Sequence, residues 1–251
     1  MGSNRLPGKV MKDIEGKPLL FHVIKQTLSS KLIDNVVVAT SISSNDNTIV
    51  KYCKNNKINY YRGSVDDVLD RFYKCAKKFR CRPVIRISAD SPLIDPNVID
   101  LVLNKFLNNS FDYLSNNIEK TKHGWKDSTC NFPVGTVIEV ATFKALELAW
   151  KKAKHPSERE HVFPYVQSHS EIFNISNVKS RKNLSNIRIT VDEKNDLKFV
   201  KEIYKRISKK KKFVTIKDIE KILSNEPVLL KINDNIEFDG SYKKSLLMGE
   251  K

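Results

Sequence analysis

Val84-Ile85-Arg86-Ile87-Ser88-Ala89-Asp90-Ser91-Pro92-Leu93-Ile94-Asp95-Pro96 organises this chain. It opens as a short apolar run suited to a buried parallel strand, then breaks into small and polar residues and reaches a carboxylate, Asp90. Asp95-Pro96 follows as N-cap and first helical residue, which predicts a helix ending near Leu107. In an open α/β sheet, ligands bind beyond the carboxyl ends of the strands. Asp90 is therefore expected at the mouth of a site, where a carboxylate can help hold a hard divalent cation over a phosphate. For this stretch alone, a solvated aspartate in an ordinary βα loop is the alternative.

The pattern outward from this stretch alternates strands and helices. Pro18 opens an amphipathic helix with Leu19, Leu20, Val23, Ile24 and Leu28 at helical spacing. Asn35–Thr40 reads as a buried strand, Ser44–Asn55 as a polar helix with Ile49, Val50 and Cys53 inward, and Ile58–Tyr61 as a short strand. Asp66–Lys78 is a predicted helix whose core face carries Val68, Leu69, Phe72 and Cys75. After the Pro96 helix come predicted strands near Asp112–Ser115, Thr136–Val140, Phe173–Val178 and Ile187–Val191. Thr142 caps a helix to about Lys154, and Ser157-Glu158-Arg159-Glu160 has capping-box spacing for a helix through Val166. Glu193–Lys209 and the helix opened by Thr215-Ile216-Lys217-Asp218, closed by Pro227, complete the set. This rhythm implies a parallel sheet covered on both faces. Thr121–Pro133, with His123, Gly124 and Trp125, breaks it and is expected to be a lid or binding loop. No repeat or Gly/Ser linker divides the chain, so one domain over residues 1–232 is expected, with a flexible tail over 233–251.

The 251 residues carry a formal charge of +16, which points to anionic partners: nucleotides, phosphorylated substrates, nucleic acid or a membrane surface. Much of it is lysine on predicted helix faces, as in Lys51–Lys57, or in the run Lys209-Lys210-Lys211-Lys212, where solvated surface is the ordinary role. The scattered basic residues form no aromatic-interleaved surface, which argues against nucleic acid as a partner. Cys53, Cys75, Cys81 and Cys130 make no C-x-x-C pair and have no histidine at zinc-finger spacing. They are expected to be reduced thiols in a cytoplasmic protein. No apolar run approaches the roughly 20 residues of a membrane span, so no membrane insertion is expected.

Met1-Gly2-Ser3-Asn4-Arg5-Leu6-Pro7-Gly8-Lys9 is a loop of small residues and two cations; glycine admits a phosphate close to the backbone, and Arg and Lys supply countercharge. It lacks the order of a Walker A loop. This loop resembles the A-R-M-G-S-x-R-L-P-G-K segment of the cytidylyltransferases related to the spore coat polysaccharide biosynthesis protein F. These in turn are similar to 3-deoxy-manno-octulosonate and acylneuraminate cytidylyltransferases. Arg62-Gly63-Ser64-Val65-Asp66-Asp67-Val68-Leu69-Asp70-Arg71 resembles that family's R-G-S-x-x-D-V-L-D-R, and Ser88–Pro96 stands where it has G-D-C-P-L-I-D-P. Glu158-Arg159-Glu160-His161-Val162 matches E-R-E-H-V, and Thr190-Val191-Asp192 with Asp196 resembles T-V-D-x-x-x-D. The five motifs occur in order, from residue 1 to about 232.

The resemblance implies a three-layer Rossmann-like nucleotide-diphospho-sugar transferase fold with a mixed, mostly parallel sheet. It also implies a cytidylyltransferase that moves CMP from CTP to a nonulosonate or 3-deoxy-octulosonate-like sugar, releases pyrophosphate, and works as a homodimer. Gly2 and Ser3 would line the triphosphate, Arg5 and Lys9 would neutralise it, and Asp90 and Asp192 would hold Mg²⁺. Arg5, Lys9 and Asp90 form the implied catalytic set. Thr40 and Ser41 are candidates for the base or ribose, a plain turn being the alternative. Arg71, Glu160 and His161 are candidates for the sugar, against a surface ion pair for Arg71 and a capping role for Glu160.

The sequence departs from the family in two places. The family has an apolar strand before its first loop, whereas this sequence opens inside that loop. In a doubly wound sheet that strand is central, so its absence is expected to leave two strand edges and an apolar slot. Val137 replaces an acid of the family's G-x-D-V-E-V, so a contact to sugar or metal is expected to be lost there. A nucleotidyltransferase using another triphosphate or a phosphorylated sugar, and a non-catalytic truncated homologue, are the alternative functions.

Overall fold

The computed structural model describes residues 1–3, 5–122, 124–207 and 210–236. A small hairpin, β1 (Asp13–Ile14) and β2 (Lys17–Pro18), leads into α1 (Leu19–Thr27), which begins directly after Pro18. Then follow β3 (Val37–Ser41), α2 (Asn47–Asn55), β4 (Asn59–Gly63), α3 (Val68–Phe79), β5 (Val84–Ile87) and α4 (Pro96–Leu107). Next come β6 (Tyr113–Ser115), β7 (Ile118–Thr121), β8 (Gly124–Asp127), β9 (Ile138–Ala141) and α5 (Phe143–Lys152). Two short helices, α6 (Pro156–His161) and α7 (Pro164–Ser168), precede β10 (Ile175–Asn177), α8 (Lys194–Arg206) and α9 (Ile216–Asn225).

The larger sheet has the order β10-β6-β9-β5, and a second sheet pairs β3 with β4. β10 and β6 are parallel, as are β3 and β4; β9 runs against both β5 and β6. The sheet is thus mixed and open, with β9 the reversed strand. Period-two alternation sorts its side chains between two cores. Leu114, Ile138 and Val140 join the cluster built with α4, α8 and α9. Tyr113, Ala141 and Val84 join the opposite cluster with α3, α5 and α7. The three-layer arrangement expected from the resemblance is present.

Local chemistry explains how these layers lock together. Asp95 caps α4 by accepting from the Asn97 amide (2.8 Å), while its other oxygen accepts from the Ile216 amide at the start of α9 (2.7 Å). One capping carboxylate therefore ties two helices of the same layer. On the other face, Asp67 caps α3 through the Asp70 amide and pairs with Arg159 of α6 (2.5 Å), joining two of the motifs named above.

β3 and β5 are not hydrogen-bonded to each other. Between them lies an apolar cavity of about 360 Å³, lined by Val37–Ala39, Val84–Ala89 and side chains of α1 and α3.

Several expectations are corrected. Residues 121–133 are partly ordered as the β7–β8 hairpin, with Trp125 packed on the α3–α5–α7 core; His123 lies outside the described residues. Ile187–Val191 is not a strand: its one bridge joins Val134 to Arg188, because the Val191 amide goes to the Asp90 carbonyl instead. The helix expected through Val166 breaks at Val162, whose φ of 77° lies in the left-handed region. The first of the two pieces is capped by Glu158, which accepts from the His155 amide (3.0 Å), so Glu160 has no part in the cap. Asn233 is buried and donates to Asp196 (3.0 Å), so the ordered body reaches that residue; 237–251 lie outside the described residues.

Candidate active site

Asp90 stands just past β5. Its carbonyl accepts from the Val191 amide (2.9 Å) and the Thr190 hydroxyl (3.3 Å), which draws the segment 190–192 alongside the turn. Gly135 makes this seam possible. With φ at +98°, it lies so close to Thr190 that an added Cβ would come within 2.6 Å of the Thr190 nitrogen. The result is that Asp90 and Asp192 face one another.

Lys9 bridges them. Its ammonium donates to Asp90 Oδ2 (2.7 Å) and to Asp192 Oδ1 (2.9 Å). Gly8, at φ +67°, makes the left-handed step that starts the short 3₁₀ turn Lys9–Met11. Burial works against the charged ammonium, but the two carboxylates outweigh it and raise its pKa. Burial would likewise lift the Asp192 carboxyl, yet Lys9, Arg5 and Arg188 bring it below the usual aspartate value.

The T-V-D-x-x-x-D motif divides into two tasks. Asp196 is fully buried and caps α8 by accepting from the Asp192 (2.9 Å) and Glu193 (3.0 Å) amides, while also holding Arg188 (2.8 Å). Asp192 is left facing the site, joined by Arg188 (2.7 Å) and by Arg5 (3.3 Å). Arg5 also reaches Glu193 (3.4 Å).

Behind the carboxylates is a polar cavity of about 220 Å³. Across the antiparallel β5–β9 register Arg86 stands opposite Glu139, on the face that carries Tyr113. Arg86 and Glu139 form an ion pair, and Tyr113 donates to Glu139 (2.8 Å). Gln167 donates to the Tyr113 hydroxyl (3.1 Å). Burial opposes the Arg86 charge, but Glu139 outweighs it and raises its pKa; burial, with Glu139 beside it, pushes the Tyr113 phenol well up. Asn117, Asp127, Thr136, His161 and Gln167 add hydroxyl, amide, carboxylate and imidazole groups to the wall. Burial lowers the His161 pKa, with Glu160 opposing, which favours the neutral ring. Val137 lines the same cavity as an apolar patch, with Asp127 a carboxylate elsewhere on its wall.

The structure gathers only part of the expected set. Arg5, Asp90, Asp192 and His161 line this cavity, and Lys9 joins them through its contacts to the two aspartates. Gly2 is exposed with open space around it, and the Ser3 hydroxyl accepts from the Leu6 amide (3.3 Å), so the start of the loop leaves room for a ligand. Thr40 and Ser41 are buried at the end of β3 and donate to Asp46 (2.8 and 2.6 Å), which commits both hydroxyls inside the protein. Arg71 is carried by α3 to the β3–β5 cavity, where it donates to the Ser64 carbonyl (2.6 Å) and crowds Gly63. Glu160 is exposed and does not line the polar cavity. The sequence reading missed Arg86, Glu139, Asn117, Gln167 and Arg188. Its available signal was charge inside apolar strands, Ile85-Arg86-Ile87 and Ile138-Glu139-Val140.

A family model described as cytidylyltransferase matches residues 1–233. The chain belongs to this family. The cytidylyltransferase fold is also seen in a solved structure, a cytidylyltransferase from Leptospira borgpetersenii, at a TM-score of 0.82 and 28% identity, covering 95% of this chain and 94% of that one. The spore coat polysaccharide biosynthesis protein SpsF of Bacillus subtilis is 28% identical over 213 residues, 82% of this chain and 83% of its own. Uncharacterized protein MJ1063 of Methanocaldococcus jannaschii is 35% identical over 237 residues, 94% of this chain and 91% of its own. The resemblance drawn from five motifs is borne out. No described helix of this family member is long and apolar enough to cross a membrane.

The donor set at the mouth fits a hard divalent cation. Among the described residues no three acidic, histidine or cysteine side chains converge. Two carboxylate oxygens do converge on one cationic atom, the Lys9 nitrogen, and Mg²⁺ takes few protein oxygens when phosphates and water complete its shell.

Proposed function

We propose that this family member transfers the cytidylyl group of CTP to a hydroxyl of a nonulosonate or 3-deoxy-octulosonate-like sugar. The observation that carries this reading is the Lys9–Asp90–Asp192 cluster at the mouth of a cavity walled by hydrogen-bonding side chains. In the reaction the sugar oxygen forms a bond to the α-phosphorus. The bond from that phosphorus to the bridging oxygen breaks, pyrophosphate leaves with the electron pair, and the hydroxyl proton passes to solvent. Such transfer depends mostly on positioning and charge neutralisation. Arg5 and Lys9 neutralise the triphosphate above the loop of residues 1–9. Asn117, Gln167 and Thr136 orient the sugar hydroxyls, and the Arg86–Glu139 pair holds that wall rigid. Mg²⁺, held by Asp90 and Asp192, would supply Lewis-acid stabilisation of the phosphate charge and a lowered hydroxyl pKa. The same reading carries a cytoplasmic homodimer, which light scattering of the purified chain would remove by returning a monomer mass.

Asp90→Asn tests the assignment. Pyrophosphate release from CTP should fall by at least about a hundredfold, with the circular dichroism spectrum unchanged. Full activity in that variant would sink the role of Asp90. Running the same assay with GTP, UTP and ATP reads the choice of base, and a preference for one of these would replace CTP.

A further inference from the structure

The aspartate pair at the site is already neutralised from within. Asp90, Asp192, Asp196 and Glu193 face three cations, Lys9, Arg5 and Arg188. Of these, Lys9 alone contacts both Asp90 and Asp192. Arg188 is fixed by Asp196, whereas among the described residues the Lys9 ammonium bonds to Asp90 and Asp192 alone. Its nitrogen thus sits where a cation shared by the two carboxylates would sit, and the two cannot be there together.

We propose that Lys9 is an exchangeable counter-ion that keeps the divalent site closed until a triphosphate arrives. This rests on the cytidylyl-transfer reading. A tethered ammonium competes with free metal at the high effective concentration its short tether imposes. A divalent ion entering alone would strand the Lys9 ammonium beside it, two cations on one pair of carboxylates, and turn a cluster of net charge −1 into one of +1. A triphosphate changes both terms: it offers the ammonium another anion and brings the negative charge that the metal needs. Metal and nucleotide affinity are then coupled through one side chain, and by linkage the coupling is reciprocal. Lys9 has two successive partners, the aspartates in the free protein and the phosphates in the complex.

The test is Mn²⁺ binding, followed by electron paramagnetic resonance on the full chain, with no turnover involved. Wild type should bind Mn²⁺ weakly alone and at least about tenfold more tightly with a non-hydrolysable CTP analogue, but not with CMP. Lys9→Met should bind Mn²⁺ without nucleotide at least about tenfold more tightly than wild type, and should lose affinity for the analogue. The double variant Lys9→Met/Asp192→Asn should return to weak binding, and Lys9→Gln guards against a fault peculiar to methionine. If neither single variant gains Mn²⁺ affinity while wild type still binds Mn²⁺ with the analogue, the exchange is overturned and the metal site stands. If wild type binds no Mn²⁺ even with the analogue, the metal reading itself falls and the exchange with it.

Discussion

Strand β5 is bordered by two cavities of opposite character that share Arg86 and Ser88. On one side is the polar cavity of about 220 Å³, closed by the full β5–β9 ladder and walled by paired charges. On the other is the apolar cavity of about 360 Å³, where β5 faces β3 with no hydrogen bonds between them. The difference lies in what each wall already has. The charges around the polar cavity have partners, so its geometry is set before any ligand arrives. The apolar cavity is a gap between unpaired edges, and such edges favour pairing with another strand. The candidate site sits on the side whose charges are paired, and the open gap in the fold sits on the other.

The sharpest break in this contrast is Gly135→Ala. A methyl group there would meet the Thr190 backbone at 2.6 Å in a conformation that alanine disfavours. The expected loss is about 4 kcal/mol, from left-handed strain and overpacking together. Denaturant unfolding reads it, and the seam carrying Asp192 should loosen with it. An unaltered midpoint would mean that the polar side is less rigid than its contacts imply.

Next is Arg86→Met, which leaves Glu139 buried with Tyr113 as its remaining hydrogen-bond partner. A loss of about 3 kcal/mol is expected, and Arg86→Met/Glu139→Leu should recover much of it, because the penalty lies in the stranded charge. If the double variant is no better than the single, the pair is not the unit that holds this wall.

Ala39→Val asks the opposite of the apolar side. Two added methyl groups in that cavity should raise stability by about 1 kcal/mol, and valine suits a strand. A fall in stability would show that the space is not there to fill in solution.

The smallest effect is the acid dependence of the polar side. Asp192 has a folded-state pKa below its unfolded value of about 3.9. Its contribution is therefore fully present above that value and lost as pH falls through the folded one. The stability advantage of wild type over Asp192→Asn should be flat from neutral pH to about 5 and then shrink. An advantage that persists at pH 2 would assign it to packing.

Of the polar side, Lys9, Asp90 and Asp192 were legible before the fold was known and Arg86, Glu139, Asn117, Gln167 and Arg188 were not; elsewhere local signals marked caps and helix faces. The N-cap at Asp95, the helix Pro96–Leu107 and the inward positions Ile49, Val50 and Cys53 were read correctly from spacing and capping chemistry. For Thr40 and Ser41 the sequence leaves a ligand contact and a plain turn open, because a hydroxyl at a strand end looks the same in both; the structure pairs both hydroxyls with Asp46. Glu160 was misjudged because two acids two residues apart both fit a capping pattern, and the helix began earlier than the spacing suggested. The β7–β8 hairpin was missed because its polar residues carry no clear alternation; its order comes from Trp125 packing on a distant core.

By itself the sequence determined the alternation of strands and helices, the family, and the identity of Lys9, Asp90 and Asp192 as the residues to watch. The alternation follows from short-range rules of capping and periodicity, whereas the family, Lys9 and Asp192 follow from the resemblance carried by five motifs in order. The tertiary structure alone decided that β9 runs against β5 and so sets Glu139 opposite Arg86. It alone placed Lys9 between the two aspartates, sent Arg71 to the apolar cavity, and gave Asp196 to the helix rather than to the site. Strand direction and ion pairing between distant segments depend on which surfaces can be buried together, and no local pattern in the chain encodes that choice.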